Sequence, residues 1–504
     1  MKQFIAIVTL AASAAHAAPL SADTAATLQR ISANSLRGHL SFIASDLLEG
    51  RASPSRGLDL AAEYIAAQFR RAGLEALGDD GYFQTANWTY SEPNLNSFSL
   101  VLDGAGQHVV LKSSQISFGA IPALAANAAA VVKADFQQVA ALEALGAGVA
   151  GKVVVCELPA GRITSREQYE ERMHALDAFM ARVGALKPLF LVMLDRGNPN
   201  GDAGGNGRLI DPEKPAPQAP LARVTLHGME AQQWFDALPA GAGGATLTLK
   251  LAAPTTRPVK LRNVAAILRG SDPALKDSYV LVTAHYDHLG MRSSGDGDII
   301  YNGANDDGSG TVSVIEIASA MAAMKLRPKR SVVFMTVFGE ERGLLGSRYY
   351  GRHPLVPIAR TVADINLEQV GRTDSSEGPQ MNNVAMTGMD YSDVGRMFAQ
   401  AGEQTGIKLY KHAVNSDLYF GQSDNQALAD QGVPAHTLSV AYAFPDYHKV
   451  GDHWDKIDYD NMAKVDRMIA LGVLMIANDK KAPQWNAANP KTATYVEAWK
   501  KLAK

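Results

Sequence analysis

The sequence lacks several features, and each absence excludes a class of protein. Its 504 residues include one cysteine, Cys156, so no disulfide can form within the chain. The fold must therefore depend on its hydrophobic core and on any bound metal. The charge is nearly balanced, with 48 Lys and Arg against 51 Asp and Glu, which argues against a nucleic-acid partner. Past the N-terminus, no apolar run is long enough to span a membrane.

The first residues have the pattern of a processing signal. Lys2 precedes an apolar run from Phe4 to Ala12, and Ala15-His16-Ala17 matches an A-x-A cleavage site before Ala18. The apolar run is too short for a permanent membrane anchor, and the alternative is an uncleaved N-terminal helix. We therefore expect residues 1–17 to be a signal peptide and the mature protein to be exported, either to a periplasm or out of the cell.

Three short apolar runs end abruptly in His, Asp or Glu, and this pattern is the main signal in the chain. Runs of this length, rich in Val, Leu and Ile, are typical of strands buried on both faces of a parallel sheet. Residues 309–324 are apolar at helical spacing, with Ser309 placed to cap the helix. The sequence thus predicts an α/β fold: a mostly parallel mixed sheet with helices on both faces. Ligands gather at the carboxyl ends of such strands. The three runs are Tyr279 to Gly290, Val332 to Gly343 and Asp364 to Glu368, and Asn302 to Gly310 is the turn between the first two.

The length of the chain exceeds one ordinary domain, and its composition changes along it. From about Ser117 to Pro254 the sequence is richer in Ala, Gly and Pro and carries no cluster of metal-ligand residues. This segment is predicted to be a smaller inserted domain, α/β or β-rich, with a long exposed loop from Asn198 to Pro220. The expected organisation is a signal peptide at 1–17, the first part of the main domain at 18–97, the insertion at 98–256, the catalytic domain at 257–480 and a polar C-terminal tail at 481–504.

Histidines and carboxylates at the strand ends suit two zinc ions, which take imidazole nitrogen and carboxylate oxygen. Two such ions share a carboxylate and lie ~3.5–4 Å apart. Asp306 is the natural bridge, because the turn from Asn305 to Gly308 leads straight into a helix. Asp287, two residues past His285, is placed to orient that imidazole.

Glu340 and Glu341 are adjacent on a turn and so point in different directions. One of them can bind metal while the other accepts a proton from water whose pKa the metal lowers toward ~7. Taken singly, a Glu pair, a His-x-Asp and an Asp-Asp-Gly are ordinary features of solvated loops and helix starts. Three of them in sequence, each at a strand end, indicate a hydrolytic metal site.

These motifs resemble those of the dinuclear-zinc aminopeptidase family, which also includes glutamate carboxypeptidases, glutaminyl cyclases and the transferrin-receptor ectodomain. The resemblance covers about Val259 to Asn478, and residues 35–77 are similar to that family's N-terminal segment. The insertion, with Val149 to Val155, resembles the protease-associated domain of such enzymes, although more loosely. The resemblance is carried by His285-Tyr286-Asp287, Gly303 to Gly310, Glu340 to Ser347, Ile365 to Glu368 and Asp446-Tyr447-His448.

The resemblance implies a role for each motif residue. His285 and Glu368 would bind one zinc ion, Glu341 and His448 the other, with Asp306 bridging them and Glu340 acting as general base. The family more often has Asp at the position of Glu368, so the extra methylene changes the reach of this ligand. His453 is the alternative to His448 because it lies on the same loop, and His288 is interpreted as a loop histidine.

The function that follows is that of an exported dizinc exopeptidase, an aminopeptidase acting on peptides. A glutaminyl cyclase on the same fold is the second enzyme hypothesis, and it needs a single zinc ion. An inactive receptor or binding scaffold is the third, but a complete set of ligands argues against it. The preferred N-terminal residue, the choice between aminopeptidase, dipeptidase and carboxypeptidase, and the oligomeric state stay open.

The N-terminal pattern yields a prediction about processing. The mature protein should begin at or near Ala18 and be recovered outside the cytoplasm. Intact-mass spectrometry of the exported protein is the measurement. An exported chain that still carries Met1 to Ala17 would contradict the cleavage site.

Overall fold

The computed structural model describes residues 20–118, 123–159, 166–197, 207–214, 221–292 and 297–502. The predicted signal peptide and much of the predicted loop from Asn198 to Pro220 lie outside these residues. Among the described helices, none combines the length and apolar character that crossing a bilayer requires. The α-helices are α1 (Ala22–Arg30), α2 (Ala33–Ile43), α3 (Arg56–Arg71), α4 (Val139–Glu143), α5 (Arg166–Ala185), α6 (Met229–Ala237), α7 (Gly310–Ala322), α8 (Leu345–Arg352), α9 (Asp393–Thr405), α10 (Asn415–Leu418), α11 (Asn425–Ala429), α12 (Tyr459–Asn478) and α13 (Ala493–Leu502).

Most of the strands belong to one sheet, whose main path runs β19-β18-β20-β15-β11-β14-β10-β5-β6-β7-β9-β4. The strands are β1 (Glu75–Ala76), β2 (Phe83–Gly104), β3 (Gln107–Leu111), β4 (Ile116–Phe118), β5 (Leu124–Lys133), β6 (Val153–Glu157), β7 (Phe190–Leu194), β8 (Arg208–Ile210), β9 (Arg223–Leu226), β10 (Gly241–Leu268), β11 (Tyr279–His285), β12 (Gly290–Met291), β13 (Ile300–Tyr301), β14 (Ser331–Val337), β15 (Thr361–Leu367), β16 (Asp374–Ser375), β17 (Gly378–Pro379), β18 (Asn383–Met386), β19 (Lys408–Tyr410) and β20 (Ala435–Ser439).

The centre of the sheet is parallel, as predicted. Strands β14, β11, β15 and β20 run side by side in one direction, and β10 and β18 flank them in the other. Every residue of β11 and β14 is buried, which is expected where helices cover both faces of a sheet. The predicted α/β fold with a mixed sheet is confirmed.

Successive side chains of β11 enter two different hydrophobic cores. Val280 and Val282 pack into the core beneath α2, α3, α7 and α12, whereas Tyr279 and Leu281 pack into the core beneath α8, α11 and α13. This alternation follows from the two-residue period of a strand. The predicted catalytic domain, residues 257–480 and called the catalytic half below, therefore has helices on both faces of its sheet.

The predicted capping role of Ser309 is wrong. Helix α7 begins at Gly310, but the Ser309 hydroxyl makes no capping bond within this helix. Instead it donates to the Asn305 carbonyl at 2.7 Å and accepts from the Val370 amide at 3.0 Å. The hydroxyl thus stabilises the turn before the helix and fastens it to the segment after β15.

The inserted lobe, residues 98–256, shares its sheet with the catalytic half. Its strands β5, β6, β7 and β9 are parallel, and with α5 and α6 they enclose two hydrophobic cores of their own. The 28-residue strand β10 pairs with β5 in the lobe, with β2 along most of its length and with β14 in the catalytic half. The lobe is thus α/β in character, and one continuous strand joins it to the catalytic half.

The C-terminal segment packs against the catalytic half. It ends in helix α13, which has Lys500 and Lys501 in its last turn. Trp485 and Tyr495 stack with ring centroids 4.9 Å apart inside a hydrophobic core, and the Trp485 indole donates to the Gly432 carbonyl at 2.8 Å. The last residues therefore add to the core instead of forming a free polar tail.

This packing predicts a stability effect. Trp485→Ala removes a buried indole and leaves a cavity, so the free energy of unfolding should fall by about 3–5 kcal/mol. Trp454→Ala is the matched control because its side chain is 37% exposed, and its effect should stay below ~1 kcal/mol. Chemical denaturation is the measurement, and equal effects of the two changes would contradict the docked position of residues 485–502.

Candidate metal centre

The predicted ligands meet at one edge of the sheet. His285 is the last residue of β11, Glu368 directly follows β15, and Glu340 and Glu341 lie on the turn after β14. Because these strands are parallel neighbours, their carboxyl ends open on the same side. Gly339 adopts φ 69°, a conformation that favours glycine, and so lets the chain turn sharply into the glutamate pair.

Two groups of side chains form, and Asp306 belongs to both. His285, Asp306 and Glu368 offer ligand atoms that all lie within 4.8 Å of one another, as do His288, Asp306 and Glu341. One oxygen of Asp306, Oδ1, is 3.4 Å from His285 Nε2, and the other, Oδ2, is 3.1 Å from His448 Nε2. Each carboxylate oxygen therefore faces a different group, as a bridging ligand requires.

The structure distinguishes His448 from His453, the two histidines that the sequence offered for the same ligand position. His448 Nε2 lies 3.4 Å from Glu341 Oε2, and the Tyr447 ring stacks on the His448 imidazole at 3.9 Å. His453 Nε2 instead lies 3.4 Å from Asp298 Oδ2. Of the two, His448 is the one that joins the second group.

His288 has a different place from the one expected. The sequence interpretation made it a loop histidine, but its side chain is buried and its Nδ1 is 2.7 Å from Glu341 Oε1. Its position directly after Asp287, itself two residues from His285, is the signal that could have found it. His288 therefore shares the second group with Glu341 and His448.

The turn that carries Asp306 is fastened from two directions. Asp452 Oδ2 accepts from the amides of Asn305 and Asp306 at 2.9 and 3.1 Å. Asn305 Oδ1 accepts from the amides of Gly371 and Arg372, both at 2.9 Å. The loops after β15 and β20 thus hold the bridge in place.

Asp287, which the sequence predicts to orient His285, contacts both His285 and the backbone of Glu340. Its Oδ1 lies 3.5 Å from His285 Nδ1 and accepts from the Glu340 amide at 3.1 Å. Its Oδ2 accepts from the Ser53 hydroxyl at 3.2 Å. One carboxylate therefore links the end of β11 with the glutamate turn.

The donor set fits divalent cations. Among the described residues, His288 Nε2 is buried without a hydrogen-bond partner, and the contacts of His285 Nε2, His288 Nδ1 and Glu341 Oε1 are with other atoms of the two groups. Buried polar atoms are normally paired, so a buried imidazole without a partner for one nitrogen, in one group with two carboxylates, fits a position for an ion. Imidazole nitrogen with carboxylate oxygen is a combination that zinc accepts.

The electrostatics agree with that fit. Burial raises the pKa of Glu368 to about 7 and that of Asp452 to about 6, and the pKa of Asp307 well above its usual range. Burial also opposes ionisation of Asp306, but hydrogen bonds to His285 and His448 hold its pKa well below the usual range. Burial is the largest cause of the raised values, and neighbouring carboxylates add to it at Glu368 and Asp307.

A cavity of about 250 Å³ opens beside the two groups. Tyr442 and Phe444 line it, and Trp454 is not among the described lining residues. The ligand carboxylates form one end, and aromatic, hydroxyl and amide side chains form the rest. Beyond the ligands, the lining includes Gln369, Thr387, Tyr419, Gln422, Ser423, Thr437, Ser439 and Tyr447.

Comparison with known proteins finds a family match for this region. Residues 263–473 match the family described as Peptidase family M28. A probable zinc metalloprotease of Pyricularia oryzae is 28% identical over 214 residues, and a vacuolar membrane protease of Phaeosphaeria nodorum is 41% identical over 97 residues. The matches cover 40% and 19% of this chain, and they span only 39% and 9% of those relatives' lengths.

Solved structures extend the likeness to nearly the whole chain. An aminopeptidase from Aneurinibacillus sp. strain AM-1 superposes with a TM-score of 0.62 at 20% identity, over 92% of this chain and 97% of that one. BSAP, a zinc aminopeptidase from Bacillus subtilis, gives 0.58 at 18% identity, over 93% and 98%. At such identity the likeness establishes a shared fold.

The two loop histidines allow a paired prediction. His448→Ala removes a nitrogen that lies beside Asp306 and Glu341, so the purified protein should retain one zinc ion fewer than the parent after dialysis. His453→Ala changes the same loop beside Asp298 and should leave the zinc content unchanged. Elemental analysis of both variants is the measurement, and zinc loss in His453→Ala alone would reverse the assignment.

Proposed function

Because residues 263–473 of this chain belong to peptidase family M28, we propose that the protein is a dinuclear zinc exopeptidase that removes N-terminal residues from peptides. One observation carries the proposal: Asp306 is shared by two histidine–carboxylate groups, and Glu340 lies beside both without belonging to either. A shared carboxylate with a separate carboxylate nearby is what metal-assisted hydrolysis with a general base needs.

We assign His285 and Glu368 to one ion, Glu341 and His448 to the other, and Asp306 to both. When bound, the zinc ions polarise the scissile carbonyl and lower the pKa of a water molecule toward ~7. Glu368, in place of the shorter Asp usual in the family, still brings its oxygens within 4.8 Å of the donor atoms of His285 and Asp306.

Glu340 has the proton-transfer role in this proposal. Its carboxylate faces the cavity, so it can take a proton from the attacking water and deliver it to the leaving amine. Asp287 holds the Glu340 backbone amide and the His285 ring, and this keeps the base at a fixed distance from the first group.

The cavity supports an exopeptidase. Its volume of about 250 Å³ lies just under the ~300–1,000 Å³ of sites that enclose drug-sized ligands, and this suits the side chain of a single terminal residue. Apart from the proposed metal ligands and Glu340, its lining carries no charged side chain among the described residues. We therefore propose uncharged N-terminal residues as the preferred substrates.

We further propose that the mature enzyme acts outside the cytoplasm and that the inserted lobe is a protease-associated domain. The export proposal rests on the N-terminal signal pattern. The lobe proposal rests on its position in the chain and on its loose resemblance around Val149 to Val155. In this proposal the lobe shapes access to the cavity and supplies no metal ligand.

The adjacent glutamates should fail in different ways. Glu340→Gln keeps size and polarity but cannot accept a proton, so turnover should fall by about 10²–10⁴-fold while zinc content and folding stay intact. Glu341→Gln removes a charged ligand, so zinc affinity should fall first, with activity partly restored by excess zinc. The measurements are turnover on amino-acid chromogenic substrates and zinc content of the purified proteins.

Chelator treatment of the parent enzyme is the control, and it should abolish hydrolysis reversibly. If Glu340→Gln loses zinc while Glu341→Gln retains it, the two roles are exchanged. If neither change affects hydrolysis, the dinuclear mechanism is wrong. A parent that holds a single ion and cyclises N-terminal glutamine would show the activity of a glutaminyl cyclase.

A further inference from the structure

Arg51 is a completely buried arginine that the proposed mechanism does not use. It ends the short segment Asp46–Arg51, and its exposed fraction is 0%. The sequence places it in a loop between two helices, more than 200 residues before the first metal-ligand motif. Burying a charged group is costly unless its surroundings compensate it, so the position calls for an explanation.

The guanidinium joins two of the three segments that carry the first metal group. Its Nε donates to the Tyr286 carbonyl at 2.8 Å, and its Nη1 and Nη2 donate to the carbonyls of Asn302 and Gly303 at 2.6 and 2.9 Å. Tyr286 follows His285, and Gly303 lies three residues before Asp306. A single planar group therefore spans the histidine turn and the bridging turn.

The rest of the segment strengthens the same connection. The Arg51 carbonyl accepts from the His288 amide at 3.3 Å, and the Ser53 hydroxyl donates to Asp287. Nη1 also donates to the Ile43 carbonyl at 2.7 Å, which ties the guanidinium to the end of α2. Arg51 and Ser53 thus hold the His285 turn through backbone and side-chain hydrogen bonds, and the bond to Ile43 anchors Arg51 to α2.

The charge of Arg51 also suits the centre. All four of its acceptors are backbone carbonyls, and none is a carboxylate. Burial lowers the pKa of Arg51 to about 10, and the nearby carboxylates of Asp287, Asp452 and Asp307 oppose that decrease. The side chain is therefore a cation at neutral pH. It balances part of the negative charge that the ligand set concentrates.

We propose that Arg51 is a positioning residue that fixes the spacing between the His285 turn and the Asp306 turn, and thereby sets the zinc affinity of the centre. The planar guanidinium fork is suited to this task because it holds several acceptors at once in fixed directions. Partners behind the ligands of a metal site typically contribute about 10–100-fold to metal affinity. This inference rests on the zinc centre proposed above.

The test compares Arg51 with another buried arginine. Arg330 is 3% exposed and donates to the Ser278 hydroxyl and the carbonyls of Asp479 and Lys480, but it precedes β14 and so lies at the opposite end of the sheet. Arg51→Met and Arg330→Met should both lower the unfolding temperature. After dialysis against graded chelator, only Arg51→Met should lose zinc, at a chelator concentration at least about 10-fold lower than the parent requires.

Arg51→Lys supplies the folded variant if Arg51→Met does not fold. Lysine keeps the charge but cannot hold the carbonyls of Tyr286, Asn302 and Gly303 together, so its zinc affinity should also fall below that of the parent. The visible spectrum of the cobalt-substituted protein should change with it, because the spectrum reports the ligand geometry.

Three outcomes would overturn the proposal. Arg51→Lys could retain zinc as tightly as the parent, which would show that charge alone suffices. Arg330→Met could lose zinc as readily as Arg51→Met, which would show a general effect of destabilisation. Both Arg51 variants could keep the parent's zinc affinity and cobalt spectrum, which would show that Arg51 does not position the ligands. A parent protein that binds no zinc would instead refute the proposed function itself.

Discussion

The crowding of buried carboxyls at one edge of the sheet is the constraint on which the rest of this structure depends. Asp306, Glu341 and Glu368 converge there with Asp307 and Asp452, and burial raises the pKa of several of them. Carboxylates taken out of water repel each other and must be held by fixed donors or cations. The donors and cations that hold them are the backbone amides of the bridging turn, the histidines and the buried guanidinium. The ligand atoms of the two groups also suit divalent ions.

The sequence was sufficient for the parts of this arrangement that are local in the chain. His285 and Glu368 could be placed because each directly ends a short apolar run, and such runs made a parallel sheet the simplest fold. Glu340 and Glu341 follow the same pattern one turn after β14. Where a residue's surroundings are set by its own strand, spacing alone predicts which edge of the sheet it reaches.

The residues that hold the ligands could not be predicted in this way, because their partners are distant in the sequence. Arg51 binds a carbonyl 235 positions away, and Asp452 accepts from amides of the bridging turn 147 and 146 positions away. No periodicity relates such positions, and either residue alone looks like an ordinary loop residue. Ser309 shows the same limit on a smaller scale, since its hydroxyl serves the turn and not the helix that the local pattern indicated.

The long strand β10 has a mechanical consequence. Enzymes that clamp around a substrate pivot on short flexible connections, whereas here 28 residues of ladder run from the inserted lobe into the catalytic half. Swinging the lobe would break backbone hydrogen bonds, each costing about 1–3 kcal/mol if left unpaired in a buried position. Register shifts between Lys250 and Thr255 already bend this strand, so its curvature is built in. A change in the angle between the lobe and the catalytic half therefore has to bend or break this one ladder.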